Sequence, residues 1–278
     1  MVSKLENKLN FYDEFKDFYF QIIRDFKFDY QKDCKARDYL SGILAKKNHN
    51  WKIENTIKSF KNQIGSKPVI SIYGCGPSLE ETVDTILRLK GRNFFEKFIN
   101  LAANGASVFL RERNITIDAI FTDLDGITKN EFNYSNFNII HAHGDNIEKL
   151  ISFEKNILEF ENVIGTTQVE PLENVVSPGG FTDGDRILYF IHKLLNPSQT
   201  IFLIGMDFKN IVGKYSKLDI KSDQEGSLIK KKKLRYAVEL LEWIKTKIIN
   251  EMFFVNSEMV SDKFKYISIK DLLEMINS

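Results

Sequence analysis

The amino-acid sequence predicts an α/β fold, a doubly wound and mostly parallel sheet with helices on both faces, preceded by an N-terminal helical segment. Three observations predict it. From Pro68 onward, short runs of strand composition alternate with segments of helical periodicity, the pattern that builds βαβ units. The strand-like runs end in clusters of Gly, Asp, Asn and His, and in a parallel sheet such ends open onto one crevice. Before Pro68, apolar residues recur instead at steps of three and four.

Taken in order, Leu5, Leu9, Tyr12, Phe15, Tyr19, Ile22 and Phe26 fall on one face of a long helix, and helices continue to about Gln63. An aromatic stripe of this kind reads as core or as a subunit interface, and it would suit a homodimer. The Gly65-Ser66-Lys67-Pro68 break ends the segment, so we divide the chain into a helical segment, 1–64, and an α/β catalytic domain, 65–278. Val69–Tyr73 is the first strand. It runs into Gly74-Cys75-Gly76-Pro77-Ser78, and Ser78 with Glu81 has capping-box spacing for the helix that follows. Glycines before a helix N-terminus permit close approach of an anion, although a tight βα turn explains them equally well.

Phe98–Ala103 is the next strand, followed by Asn104-Gly105, a turn or a nucleotide contact, and by a short helix over Val108–Arg113. Ile117–Phe121 delivers Asp123 and Asp125. Two carboxylates one residue apart suit an oxygen-seeking cation such as Mg²⁺, whose remaining positions go to water and phosphates; a capped turn is the alternative. Phe137–His141 leads into His141, His143, Asp145 and Asn146, with Asp145 placed to cap a helix. His-x-His raises a zinc reading, but His49 and His192 lie in helical segments, so hydrogen bonding near a phosphate or a structural role is preferred.

Val163–Thr167 is a further strand. The loop Ser177–Arg186, with Gly180, Thr182, Asp183, Asp185 and Arg186, is richer in glycine and charge than a connector requires and reads as a substrate loop. Thr200–Ile204 ends at Asp207; Lys209–Gly226 is polar; Leu228–Ile249 is a helix whose first turns hold Lys230–Lys233 and Arg235. Cations oppose the helix dipole at that end, which an anionic ligand nearby would rationalise. Met252–Val255 and Lys265–Ile269 are final strands, and Ile269–Ile276 a closing helix.

Composition bounds the function. With 43% hydrophobic residues in 278, a net charge of +1 and no run of about 20 apolar residues, the chain carries neither a global nucleic-acid field nor a membrane span. The first residues lack a signal peptide's apolar core, and Cys34 and Cys75 form no disulfide or zinc pattern, so a cytoplasmic location is expected.

The motifs GCGPSLE (Gly74–Glu80), AANGAS (Ala102–Ser107), FTDLDG (Phe121–Gly126), HAHGDN (His141–Asn146), GGFTDGDR (Gly179–Arg186), LIGMDF (Leu203–Phe208), GKYSK (Gly213–Lys217) and KKKKLRYAVELLEWI (Lys230–Ile244) occur in this order. Together they resemble the archaeal 6-hydroxymethyl-7,8-dihydropterin diphosphokinase family, whose domain also occurs in flagellin-glycosylation accessory proteins. The resemblance covers roughly residues 68–245; Ile187 departs from it where a small residue is expected. It implies transfer of a diphosphoryl group from ATP to the hydroxymethyl group of a reduced pterin, with AMP released, in folate- or tetrahydromethanopterin-type cofactor synthesis. By the same resemblance Asp123 and Asp125 hold Mg²⁺, while Gly74, Gly76, Pro77, Ser78, Asn104 and Gly105 face a nucleotide or phosphate. His141, His143, Asp145, Asn146, Gly180 and Thr182 line the crevice. The resemblance further implies that Asp183 or Asp185 orients or deprotonates the attacking hydroxyl, that Asp207 accepts from the pterin, and that Arg186, Lys214 and Lys217 stabilise the departing AMP or the transferred group. A sialyltransferase-like enzyme using a nucleotide sugar is the competing reading, and a nucleotide-binding accessory module the third.

Overall fold

In the computed structural model, which describes residues 7 and 9–277, Pro68 marks the switch from helices to an alternating α/β chain. Helices α1 (Tyr12–Phe26), α2 (Tyr30–Ala45) and α3 (Ile53–Ile64) precede the sheet among the described residues. The chain then gives β1 (Val69–Tyr73), α4 (Ser78–Lys90), β2 (Phe98–Ala103), α5 (Ala106–Glu112), β3 (Ala119–Thr122) and α6 (Lys129–Tyr134). Next come β4 (Phe137–Ala142), α7 (Ile147–Glu159), β5 (Val163–Thr167), β6 (Val175–Val176), α8 (Asp183–Ile191) and β7 (Thr200–Ile204). A short ribbon, β8 (Ile211–Val212) with β9 (Gln224–Glu225), precedes α9 (Leu228–Lys245), β10 (Met252–Val255), β11 (Lys265–Ile267) and α10 (Ile269–Asn277).

Nine strands form one sheet in the order β11-β10-β7-β1-β2-β3-β4-β5-β6, and every pairing in it is parallel. From β1 the chain moves outward through β2 to β6, then returns across the sheet to place β7 on the other side of β1. Val69 therefore pairs with both Phe98 of β2 and Thr200 of β7. The loops after β1 and β7 leave toward opposite faces, and this switch point is where a parallel sheet opens a crevice. The expected doubly wound sheet is observed.

Alternation along the strands feeds two cores. Ile70 and Ile72 join Ile99 and Leu101 beneath α1, α3, α8 and α9, whereas Tyr73 and Ala102 face α4, α5 and α10. The N-terminal helices are built into the first of these cores. Phe15 packs edge-on against Tyr189 at 5.4 Å, and Phe60 against Phe121, Phe137 and Phe190. Phe15, Tyr19 and Ile22 are fully buried there, so these positions of the aromatic stripe are core. Leu5 lies outside the described residues. The long helix expected from the stripe is interrupted after Leu9, where Asn10 Oδ1 accepts from the Ser177 amide and Phe11 N–H donates to Ser177 O. None of the described helices is long and apolar enough to cross a membrane.

Lys47, just past α2, ties the helical segment to the sheet domain. Its ammonium is buried and donates to the carbonyls of Ile157 (2.6 Å), Leu158 (3.2 Å) and Phe160 (2.6 Å) at the end of α7. A cation there meets the negative end of the helix dipole, and burial pulls its pKa down to about 8. Lys47→Met would fill the stem's volume but leave these carbonyls without their donor. Equilibrium urea unfolding is expected to show a loss of about 2 kcal/mol.

Candidate active site

The loop after β3 is shaped by one unfavourable backbone angle. Leu124 is held at φ 72°, the left-handed region a leucine rarely adopts, and its fully buried side chain fixes it there. The Leu124 amide donates to Thr122 Oγ1 (2.8 Å), closing the turn. Asp123 and Asp125 consequently emerge beside each other toward Asn104. Asn104 Nδ2 donates to Asp123 Oδ1 (3.2 Å) and Asp125 Oδ1 (2.6 Å), while its Oδ1 accepts from Thr122 Oγ1 (2.9 Å) and the Gly126 amide (3.1 Å).

The loop after β4 supports this pair from the other side. Asn146 Nδ2 donates to the carbonyls of Asp123 (2.9 Å) and His141 (2.6 Å), and its Oδ1 accepts from the His143 amide (3.0 Å). The Asp145 amide donates to His143 Nδ1 (3.3 Å), so the ring proton sits on Nε2, 3.3 Å from Asp123 Oδ2. Asp145 does not cap α7; Asn146 occupies the N-cap, with its side chain spent on the loop. His141 is buried beneath. Thr166 Oγ1 donates to Ile140 O and so accepts from His141 Nδ1 (3.1 Å), leaving Nε2 as a bare lone pair beside a cavity of about 10 Å³ under Asp183 and Arg186.

The GGFTDGDR loop separates the roles of its two acids. Asp185 turns inward and accepts from the Phe181 amide (2.6 Å) and from the Thr182 amide (3.0 Å) and hydroxyl (2.9 Å), completing the capping box of α8. Asp183 faces the crevice, with Arg186 Nη1 on its Oδ1 at 3.1 Å.

The acids repel one another. Burial would raise Asp123, but hydrogen bonds from His143 and Asp125 hold it below the usual carboxylate range. Burial and the neighbouring Asp123 push Asp125 up to about 6. Burial, then the charge of Asp123, raises Asp183 well above its ordinary value against the pull of Arg186. Burial and the Arg186 charge keep the His141 imidazole far below its ordinary pKa.

Two adjoining cavities receive these groups. The larger, about 930 Å³, is walled by Asp123, Asp125, His143 and Asp145, by Asn146 and Arg186, and on its rim by Lys217. The smaller, about 120 Å³, lies at the β1/β7 switch between Gly74, Gly76, Met206, Asp207, Phe208 and Leu234. Asn104, Thr182, Asp183 and Lys230 border both, so the two cavities meet along that seam. Lys230 was not singled out in the sequence as an individual site residue; the basic run opening α9 was its signal. Lys32 and Asp29 of the N-terminal helices also reach the large cavity, with no motif to mark them.

Other expected positions serve the scaffold. Ser78 forms no capping box with Glu81; Pro77 is the N-cap, and the Ser78 amide (2.8 Å) and hydroxyl (2.7 Å) both donate to Asp207 Oδ2. Gly74 and Gly76 are required by close packing of the β7 loop, since a Cβ at Gly74 would lie 2.5 Å from Gly205 O and one at Gly76 2.7 Å from the same atom. Gly105 packs under the Tyr215 carbonyl, and the Gly180 carbonyl accepts from Gln168 Nε2 (2.5 Å). Lys214 pairs with Glu80 at 2.7 Å and lines neither cavity.

Among the described residues no group of three or more His, Cys, Asp and Glu side chains forms a closed metal site. An Mg²⁺ bridging phosphates needs only one or two carboxylates. Asp123 and Asp125, hard oxygen donors whose charges are crowded by Asp183, fit that requirement.

The protein family described as 6-hydroxymethylpterin diphosphokinase MptE-like matches residues 43–213. A Pyrococcus furiosus protein named 6-hydroxymethyl-7,8-dihydropterin pyrophosphokinase is 36% identical over 236 residues, covering 84% of this chain and 94% of the relative. Its namesake from Methanocaldococcus jannaschii is 35% identical over 244 residues, 84% of this chain and 96% of that one. A solved structure, the MAf glycosyltransferase from Magnetospirillum magneticum AMB-1, gives a TM-score of 0.43 at 13% identity over 76% of this chain and 36% of its own. A likeness at that level carries no argument about the site.

Asp207 can be tested apart from any ligand. Asp207→Asn would weaken the two hydrogen bonds that hold the start of α4, and chemical denaturation of the ligand-free protein is expected to show a loss of about 1 kcal/mol. An unchanged midpoint would mean that Asp207 does not anchor the helix.

Proposed function

The chain belongs to the 6-hydroxymethylpterin diphosphokinase MptE-like family, and from that premise we propose that it transfers the diphosphoryl group of ATP to the hydroxymethyl group of 6-hydroxymethyl-7,8-dihydropterin, releasing AMP. The carrying observation is the seam. A small, partly apolar slot and a large polar basin adjoin along Asn104, Thr182, Asp183 and Lys230, with the acidic pair on the basin side. The reaction needs such a meeting place, because a hydroxyl on a flat heterocycle must reach one phosphorus of a bulky polyanion.

In this reading the slot takes the pterin. Met206, Phe208 and Leu234 offer its apolar faces, and Asp207 Oδ1, which has no hydrogen bond among the described residues, accepts from the pterin's amino-pyrimidinone edge. The basin takes ATP, its phosphates facing Lys217, Lys230 and Arg186. The hydroxymethyl oxygen attacks the β-phosphorus, the bond from that phosphorus to the oxygen bridging to the α-phosphate breaks, and AMP leaves with that oxygen. The hydroxyl proton passes to Asp183, the acid at the seam; Asp185 is committed to its helix cap. Catalysis of this kind rests on alignment and charge neutralisation more than on covalent chemistry. Asp123 and Asp125 would hold Mg²⁺, which would supply neutralisation of phosphate charge when bound. We place the activity in reduced-pterin cofactor synthesis, of folate or tetrahydromethanopterin type, in the cytoplasm.

The direct test is to mix the purified protein with ATP, Mg²⁺ and the dihydropterin and to follow AMP and the diphosphorylated pterin together. Both products are expected, and neither from folded protein would overturn the reading. Asp123→Asn is expected to lower turnover by about 10² to 10³. The acid pair also sets a pH dependence. Since Asp125 holds its proton up to about 6, proton and cation compete there, so calorimetric Mg²⁺ affinity should weaken as pH falls through that value. Asp125→Asn should remove this dependence along with most of the affinity.

A further inference from the structure

The N-terminal helices reach the acidic pair through a buried carboxylate. Asp29 caps α2 by accepting from the Gln31 amide at 2.9 Å, and one turn later Asp33 points inward with 8% of its surface exposed. It forms no ion pair among the described residues. Its two oxygens are divided between two distant elements. Tyr19 of α1 donates its hydroxyl to Oδ2 (2.6 Å), and the Gly144 amide donates to Oδ1 (2.6 Å) across 111 positions of sequence. Hydrogen bonds this short to a carboxylate are among the strong ones.

Gly144 makes the approach possible. A Cβ at that position would lie 2.6 Å from Lys32 Cβ and 3.2 Å from Asp33 Oδ1, so any side chain would push α2 away. Gly144 is also the residue between His143 and Asp145, and the Asp145 amide is what fixes the proton of His143 on Nε2, toward Asp123. A continuous set of contacts therefore runs from Tyr19 through Asp33, Gly144 and His143 to Asp123. Tyr19 and Asp33 both precede residue 43, where the family match begins.

We propose that Asp33 is a positioning residue: it anchors the Gly144 turn to α2 so that His143 presents Nε2–H to Asp123, and the N-terminal helices thereby set the geometry of the acidic pair. Its kinetic consequence rests on the diphosphotransfer reading; its structural consequence does not. Asp33→Leu keeps the shape but leaves the Gly144 amide unpaired. Asp33→Asn can still accept from Gly144 through Oδ1 and donate to Tyr19 through Nδ2.

Two measurements test the proposal. The first needs no substrate: nitrogen-15 spectra of the histidine rings are expected to show His143 with its proton on Nε2 in the wild type and in Asp33→Asn, and a tautomer mixture in Asp33→Leu. An unchanged His143 in Asp33→Leu would overturn the proposal whether or not the protein transfers diphosphate. The second follows AMP release. Asp33→Leu is expected to lower kcat by a factor on the order of 10 to 100, with KM for the pterin little changed and Asp33→Asn close to wild type. Combining Asp33→Leu with His143→Ala should cost no more than His143→Ala alone, and multiplied losses would overturn the proposal. Should Asp33→Leu not fold, Tyr19→Phe, which removes only the outer hydrogen bond, is expected to move both readouts the same way by less; no change in either would count against it.

Discussion

The site depends on which way round the Asn104 amide sits. Its oxygen is claimed by the Thr122 hydroxyl and the Gly126 amide, so its nitrogen has to face Asp123 and Asp125. An amide turned the other way would put an oxygen against two carboxylates and a nitrogen against two donors. Both acids are thus held side by side without either being neutralised, since an amide donates hydrogen bonds and carries no charge. Asn104 itself occupies a left-handed conformation, φ 46°, which asparagine tolerates better than most residues. This clamp and the tight turn through Leu124 together keep the acids close.

The glycines after β1 show why a familiar motif needs its three-dimensional setting. Gly-x-Gly before a helix suggests an anion at the helix N-terminus, and an anion is there: the carboxylate of Asp207, bonded to the amide and hydroxyl of Ser78. The dipole of α4 is satisfied from within the chain, and the glycines serve the contact between the β1 and β7 loops. That contact defines the floor of the slot at the switch point. The cations that line the large cavity come from other elements, Lys217 beside the β8–β9 ribbon and Lys230 at the start of α9 among them.

Much of the fold was legible because β-branched runs buried on both faces have sharp ends. β1, β2, β5, β7 and β10 begin and end where composition places them. β6, only Val175 and Val176, is too short to carry a periodic signal, and β8 and β9 are defined by pairing rather than apolar content. Within the site, Asp123, Asp125, His143 and Asp183 could be read from position, since each closely follows a strand or opens a helix. Asp183 and Asp185 could not be told apart, because both sit in the first turn of α8 and only the direction of the side chain separates a cap from a crevice acid. Asp33 was invisible for a different reason. Its partners are a tyrosine on another helix and a backbone amide 111 positions away, and neither leaves a local pattern.

The charge arrangement explains how a chain with net charge of +1 can hold a concentrated polar site. Asp123, Asp125 and Asp183, three of the nine acids that line the large cavity, share it with Lys27, Lys32, Lys149, Lys217, Lys230 and Lys233, none of which pairs with a carboxylate among the described residues. Collapsing these groups into ion pairs would gain little at the rim, where exposed pairs contribute about 0–1 kcal/mol, and would fill the basin. Instead the scaffold holds the acids back: Asn104 and His143 bind the pair, and Arg186 binds Asp183. Lys233 lies over the rings of Phe28 and Phe181, and burial, then the charges of Lys230 and Arg186, lowers its pKa. A polyphosphate with its cation is complementary to both sets at once, the phosphates to the lysines and the cation to the acids. In the proposed reaction this separation of charge would be the recognition element for that ligand.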